Sequence, residues 1–394
     1  MRQKAIRAVF MRGGTSKAVV FHQRDLPADR AEWDAIFLAV LGSPDANARQ
    51  LDGMGGGISS LSKVCVVGPP THREADIDFT FAQVSVRDAV VDYHSNCGNM
   101  SSAMGPFAVD ESLVEASGEE AHVVIHNTNT GKLIDAIFRL DDGRAAVDGS
   151  LEIPGVAGSG APVRLEFRDP GGAGTGKLLP SGQTLDVLDV PGLGRIEASL
   201  VDAANACVFV EADRLGIAGT EPPAELDART ELMERLEAIR CAGGVAMGLG
   251  DSAEHIRDNS PSNPKIGLVA QPRDAVDLSG RPLRAGEGDL TARMVSMGNV
   301  HRALPLTGAL CLAVAARIAG TVVHRHTRGG SSDVAEIRIL QPSGLTVVGA
   351  QVEERDDGWY ARLASVYRTQ RRLFEGSVLI PASRWPAVAG GRTR

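Results

Sequence analysis

Three short stretches of the chain carry residue types whose spacing suits acid–base chemistry on a small anion. In Asn96-Cys97-Gly98-Asn99-Met100-Ser101-Ser102 a cysteine opens a predicted helix, where free backbone N–H groups and the helix N-terminus favour a thiolate. Gly98 permits close backbone approach, so amides around Gly98, Asn99 and Met100 would hold a carboxylate or an enolate oxygen. The alternative for Cys97 is a buried structural cysteine. Its small, polar, glycine-flanked setting favours function, whereas Cys65, Cys207, Cys241 and Cys311 lie in apolar runs and belong to the core. Lys63, in Ser59-Ser60-Leu61-Ser62-Lys63-Val64-Cys65, begins an apolar strand after small hydroxyl residues. Placed in a cleft, its amine would serve as a base; the alternative is a strand-edge lysine in solvent. Met11-Arg12-Gly13-Gly14-Thr15-Ser16-Lys17 combines backbone N–H groups, two hydroxyls and two cations. Arg12, Gly13, Thr15, Ser16 and Lys17 would together suit a carboxylate or phosphate, the alternative being a hairpin loop with surface charges.

The elements that must position these residues read as short β-rich runs, Gly/Pro turns and a few amphipathic helices, an α/β or α+β pattern. Residues 5–11 and 18–22 are expected strands around the Arg12–Lys17 loop. Residues 29–41 are an expected helix, with Trp33, Ile36, Phe37 and Val40 at helical spacing and Gly42-Ser43-Pro44 as its stop. Residues 64–67, 77–84 and 86–93 are further strands, and 98–107 a helix. Gly171-Gly172-Ala173-Gly174-Thr175-Gly176-Lys177 fits the spacing of a nucleotide P-loop, but Leu178 stands where Ser or Thr must hold magnesium and Pro180 forbids the required helix.

An internal duplication orders these elements. Residues 18–26 resemble 207–215, a strand followed by an acidic turn ending in Leu. The helix around Trp33 has a counterpart in 231–239. Ser62-Lys63-Val64-Cys65 aligns with Pro264-Lys265-Ile266-Gly267, Cys97-Gly98 with Thr307-Gly308, and Val123-Val124-Ile125 with Ile337-Arg338-Ile339. The separation drifts from about 190 to about 214 residues, as loop insertions allow. Two such halves are expected to face one another across a cleft, which would turn Lys63 toward Lys265 and the Cys97 loop toward Thr307. In Ser296-Met297-Gly298-Asn299-Val300-His301, Ser296, Met297 and His301 are candidate anion contacts, a helix-surface histidine being the alternative for His301.

Composition bounds the partners. The 394 residues correspond to two or three domains at about 150 residues each. An apolar fraction of 43% excludes disorder as the main state. Aromatic residues are only 4%, too few for stacking platforms on single-stranded nucleic acid. The net charge of −8, from 41 Lys and Arg against 49 Asp and Glu, argues against nucleic acid, since phosphate backbones need a basic surface. The start, Met1-Arg2-Gln3-Lys4, lacks a signal-peptide apolar stretch, and the longest apolar run, 309–316, is far short of a membrane span. Five cysteines without C-x-x-C spacing fit neither a zinc site nor a disulfide framework. A cytoplasmic protein with no membrane association is expected, with a homodimer among the assemblies open to it.

Taken together, Met11–Lys17, Gly42-Ser43-Pro44-Asp45, Ser62-Lys63, Asp92-Tyr93 before Asn96-Cys97-Gly98-Asn99, Gly105-Pro106-Phe107, His126-Asn127-Thr128-Asn129-Thr130-Gly131-Lys132 and Gly176-Lys177-Leu178-Leu179-Pro180 resemble the PrpF family. The resemblance runs from about Ile6 to about Pro381. That family includes 2-methylaconitate cis-trans isomerase, 3-methylitaconate Δ-isomerase and 4-oxalomesaconate isomerase, and the segment 81–132 is most like the methylitaconate branch. The resemblance implies a diaminopimelate-epimerase-like fold: two pseudo-symmetric α/β halves, each a curled sheet around a central helix, with the active site in the cleft. Halves at 1–185 and 186–380 are expected, with 381–394 a disordered tail. It also implies Lys63 and Cys97 as the catalytic pair, no metal or organic cofactor, and an allylic 1,3-proton shift in a small unsaturated di- or tricarboxylate. A racemase or epimerase with a Cys-centred acid–base pair and a non-catalytic carboxylate-binding relative are the alternatives. Thr307 opposite Cys97 argues against the two-thiol racemase. Ala18, Ala206 and Ser181 depart from the family's usual Gly, Pro and Thr, which bears on the substrate rather than the chemistry.

Overall fold

The computed structural model describes residues 3–93, 96–261, 263–329 and 336–385, and the side chain of Ser296 lies outside that description. The chain forms two compact units, one running to Leu165 and resuming at Arg368, the other from Glu166 to Tyr367.

In the first unit β1 (Gln3–Gly13) pairs antiparallel with β2 (Ser16–His22), and β2 runs parallel to β3 (Lys63–Gly68). Strand β3 is antiparallel to β4 (Ile77–Val84), β4 is parallel to β5 (Glu120–Asn127), and β5 is antiparallel to β6 (Lys132–Asp141). Helix α1 (Trp33–Leu41) buries Trp33, Ile36, Phe37 and Val40, and Gly42 closes it at φ 75°, a left-handed cap that glycine adopts without a Cβ penalty. These side chains pack with Val19, Phe21, Val64, Val66, Ala82 and Val84 on one face of the sheet. Helix α2 (Gly98–Asp110) lies against the other face, in contact with β1, β2, β3, β5 and β6. It is buried nearly all round, as expected of a helix enclosed by a curled sheet. Covered on both faces, β3 is buried along its whole length and reads as a continuous apolar run after Lys63.

The second unit repeats the plan. Strands β7 (Gly194–Asp202), β8 (Ala206–Glu211), β9 (Lys265–Ala270), β10 (Leu290–Ser296), β11 (Glu336–Gln341) and β12 (Gly344–Arg355) pair in that order. The senses are antiparallel, parallel, antiparallel, parallel, antiparallel, as in β1 to β6. Helix α3 (Thr230–Ala246) takes the place of α1, with Leu236 and Ile239 against Val208, Val210, Ile266 and Leu268. Helix α4 (Leu306–Arg317) takes the place of α2. Lys63 and Lys265 each open the third strand of their unit, and the pairing Val19 with Val64 recurs as Val208 with Ile266.

Some expectations are corrected. The strand Gln370–Pro381, assigned by chain order to the second half, pairs along β1 and completes the first unit. The predicted strand 86–93 shortens to Val91–Asp92, because 85–90 is a polar turn in which Ser85 Oγ donates to Asp88. The Gly/Pro-rich stretch 155–176 holds a strand, Val163–Arg168. Of the predicted tail, residues 382–384 form a turn and Trp385 sits under Lys4 Nζ at 4.4 Å; residues 386–394 lie outside the description.

Candidate active site

Strand alternation decides what reaches α2. Val64, Val66, Ala82 and Val84 face α1, so Lys63, Cys65, Phe81 and Gln83 share the opposite face, with Lys63 registered against Gln83 and Cys65 against Phe81. Lys63 is only 8% exposed. Its Nζ donates to Gln83 Oε1 at 2.5 Å and lies 4.9 Å from the centre of the Phe81 ring, a cation–π distance. The Cys65 thiol, wholly buried, feels both the Lys63 ammonium and the Cys97 thiol, and burial holds its pKa well above the usual range. Lys63 and Cys97 are therefore both within electrostatic reach of Cys65.

Cys97 is the N-cap of α2, in extended backbone conformation, and its carbonyl accepts from Ser101 N. The amides of Gly98, Asn99 and Met100 are the first-turn donors that a helix leaves without intrahelical partners. Two asparagines of the β5–β6 turn position the run-up to Cys97. Asn129 Nδ2 donates to Tyr93 O at 2.7 Å and Phe81 O at 2.8 Å, and Asn127 Nδ2 donates to Asn96 Oδ1 at 3.2 Å. This explains the asparagines of the 126–132 motif.

The β1–β2 loop meets the first turn of α2. A Cβ on Gly13 would fall 2.6 Å from Asn99 O, and one on Gly14 would fall 2.2 Å from Asn99 Oδ1. The glycines make room for the helix, and the expected anion-binding amides are partly spent: Gly14 N donates to Thr369 O. Asn99 Nδ2 donates to Thr15 Oγ1 at 3.0 Å, and Arg368 Nε donates to Asn99 Oδ1 at 3.2 Å. Ser16 is buried on the α2 side. Arg12 and Lys17 are not on that side. Lys17 Nζ lies over Phe10, which packs with the α1 cluster, because residues 17, 19 and 21 point away from 16, 18 and 20. Arg12 spends its guanidinium on Gly14 O, Thr369 O and Thr369 Oγ1, each at 3.0 Å. It braces the loop. The Met100 side chain is 0% exposed, which leaves only its backbone for a ligand.

In the second unit Thr307 Oγ1 donates to Asn205 Oδ1 at 3.5 Å, and Asn205 Nδ2 donates to Asn263 Oδ1 at 2.6 Å, two residues before Lys265. Burial lowers the Lys265 pKa, with Cys207 raising it and Arg240 lowering it further. His301 follows the short strand Asn299–Val300 rather than riding on a helix surface. Burial, then the Lys265 charge, pushes its pKa down to about 4, so its ring is neutral at pH 7. Lys265, His301 and Thr307 thus belong to one neighbourhood, while Met297 is 64% exposed in the β10 turn. The rejected P-loop wraps a carboxylate instead of a phosphate: Gly174 N, Thr175 N and Thr175 Oγ1 all donate to Asp202 Oδ2.

Sequence reasoning missed Gln83, Arg368 and Asn205. Gln83 is one of three polar residues in its strand, with Asp78 and Thr80, and its register against Lys63 is hidden by the intervening loop. Arg368 is 269 residues from Asn99 in the chain, and burial pushes its pKa down to about 10.

Comparison with known proteins agrees with this architecture. The PrpF protein family profile matches residues 3–381. A 3-methylitaconate isomerase of Eubacterium barkeri is 42% identical over 379 residues, 96% of this chain and 98% of its own. A (4E)-oxalomesaconate Delta-isomerase of Novosphingobium sp. (strain KA1) is 38% identical, covering 94% and 96%. A 2-methyl-aconitate isomerase of Shewanella oneidensis is 36% identical, covering 96% and 98%. The crystal structure of a methylitaconate-delta-isomerase superposes with a TM-score of 0.88 at 40% identity, covering 100% of both chains. A hydroxyproline epimerase from Agrobacterium vitis, 13% identical with a TM-score of 0.52, shares the fold alone. With the profile spanning both units and relatives that are isomerases along their full length, the chain is an isomerase and belongs to the PrpF family.

Proposed function

We propose that this isomerase moves a double bond in a small unsaturated dicarboxylate of the methylitaconate type, with Lys63 as the base and Cys97 as the acid. The observation that supports the reading is the burial of Lys63 on the α2 face of the sheet, with Cys97 at the N-cap of α2 and both within electrostatic reach of the buried Cys65 thiol. The relative that acts on 3-methylitaconate, at 42% identity, supports the substrate class. In a methylene-substituted succinate, one C–H is both α to a carboxylate and allylic. The neutral Lys63 amine takes that proton, and the electron pair delocalises through the alkene as a dienolate. Cys97 returns a proton to the terminal methylene carbon, and the double bond becomes internal. One proton leaves and one arrives, so the reaction is an isomerisation. The amides of Gly98 and Asn99 hold the growing charge on the carboxylate oxygens, where preorganised donors stabilise most. Thr15 and Ser16 complete the carboxylate contacts. We place the protein in a reducing compartment, a reading supported by its five free cysteines.

The unit-2 counterpart of Cys97 is Thr307, a poor proton donor at neutral pH, and this disfavours a two-thiol racemase. The test is a panel of methylitaconate, methylaconitate and oxalomesaconate followed by proton NMR with wild type, Lys63→Met and Cys97→Ser. Conversion by wild type that disappears in Lys63→Met supports the proposal. Full activity in Lys63→Met overturns it.

A further inference from the structure

We infer that Gln83 is a positioning residue for Lys63, holding the amine through a neutral acceptor and so directing its free electron pair without locking it as an ammonium ion. The inference rests on the reading of Lys63 as the base.

The geometry of Gln83 leaves it one role toward the lysine. Its Nε2 donates to Ser62 O at 2.8 Å and to Ser59 O at 3.1 Å, so both amide protons are spent on the turn that precedes β3. The amide is thereby oriented with its oxygen outward, and that oxygen accepts from Lys63 Nζ at 2.5 Å. A carbonyl can only accept. Lys63 therefore donates to Gln83 in both of its protonation states, and the electron pair of the neutral amine points elsewhere. The side chain runs past the Phe81 ring, which leaves the amine few other conformations. The turn beneath is itself fixed: Gln50 Nε2 donates to Ser62 Oγ at 2.7 Å, and Ser62 Oγ donates to Val84 O at 2.8 Å.

The choice of amide over carboxylate matters for a base. A carboxylate at hydrogen-bond distance would favour the charged ammonium by Coulomb attraction in a buried setting, and a protonated lysine removes no proton. A neutral carbonyl orients the amine with far less preference between the two states. Among the described residues, the other titratable groups near Lys63 are the thiols of Cys65, on its own strand, and Cys97, on α2, together with the Asp92 carboxylate, registered against Gln83 on the strand beyond it. Gln83 stands between Lys63 and Asp92 in the sheet register, so residue 83 is the group that touches the amine and sets its immediate balance.

The test is the pH dependence of kcat/KM between pH 5 and 10 for wild type, Gln83→Glu, Gln83→Met and Lys63→Met, with thermal unfolding of each. Gln83→Glu is expected to move the rising limb to higher pH by one unit or more, with about tenfold less activity at pH 7 and recovery toward the wild-type plateau at high pH. Gln83→Met, which removes the acceptor without adding charge, is expected to lower kcat at least tenfold while KM changes less than threefold, with no upward shift of the limb. A role confined to bracing the turn would lower unfolding temperature and scale activity equally at every pH. Such a uniform loss in Gln83→Glu, or wild-type kcat in a folded Gln83→Met, overturns the inference. If Gln83→Glu fails to fold because its second oxygen faces Ser59 and Ser62 carbonyls, the kcat and KM of Gln83→Met decide alone. Activity surviving in Lys63→Met is a separate outcome, which removes the base itself.

Discussion

Replacing Gly14 by alanine tests the tight fit between the β1–β2 loop and the α2 N-terminus. Gly14 sits at φ 51°, and a left-handed conformation costs a residue with a Cβ about 1–2 kcal/mol. The new Cβ would fall 2.2 Å from Asn99 Oδ1 and 3.2 Å from Arg368 Cδ, so the Asn99 side chain must rotate away. That forfeits the bond to Thr15 Oγ1, worth about 1 kcal/mol net, and the bond from the Arg368 guanidinium, worth about 1.5–3 kcal/mol. The total is about 3.5–6 kcal/mol. Gly131→Ala is the control: its φ is 67° and nothing lies within 4 Å of the added Cβ, so only the backbone strain of about 1–2 kcal/mol applies. Urea midpoints should therefore separate the two variants by at least about 2 kcal/mol. Adding Asn99→Ala to Gly14→Ala should cost less than it does in wild type, because the clash is gone. Equal destabilisation by Gly14→Ala and Gly131→Ala would refute the argument, since Asn99 would then move at no cost.

Two further outcomes follow from the site and its scaffold. Lys17→Ala should leave KM within about twofold, because Lys17 lies over Phe10 on the α1 face; a tenfold rise would put its ammonium on the substrate. Glu111, at the C-terminal end of α2, pairs with Arg7, His22 and Arg372 and its side chain is 4% exposed. Burial raises its pKa, but the hydrogen bonds of these three partners outweigh that and bring it from 4.5 down to about 2. The resulting stability is present above pH 4.5 and lost as the pH falls through 2. Discounted for the half-exposed Arg7, it amounts to about 2–3 kcal/mol. Glu111→Gln should lower stability at pH 7 and flatten its fall below pH 4.5, read by thermal unfolding across that range. An unchanged acid profile would contradict the assignment.

The duplication was legible in the sequence because each unit spells the same succession of strand, acidic turn, outer helix and lysine-headed strand. Cys97 and Lys63 stood out for the same reason: a thiol before Gly98 and a lysine before an apolar run are local signals. What failed was everything set by alternation or by distant pairing. Lys17 is adjacent to Ser16 in the chain and on the opposite face of the sheet, a consequence of the two-residue period that a motif read as a block ignores. Arg12 faces away from α2 and braces its own loop. The strand Gln370–Pro381 returns to β1 across the whole second unit, and only a sheet edge seeking partners explains that choice. Gln83, Arg368 and Asn205 act on residues they meet only after folding, so the sequence contains no local sign of them.

The most direct test of the account is proton NMR of the isomerisation of methylitaconate in D₂O. Proton removal by Lys63 and return by Cys97 predict one solvent deuterium at the carbon that gains hydrogen, in every product molecule, with both exchange and conversion abolished in Lys63→Met. Conversion without deuterium uptake, or undiminished exchange in Lys63→Met, would contradict the assignment of these two residues as base and acid.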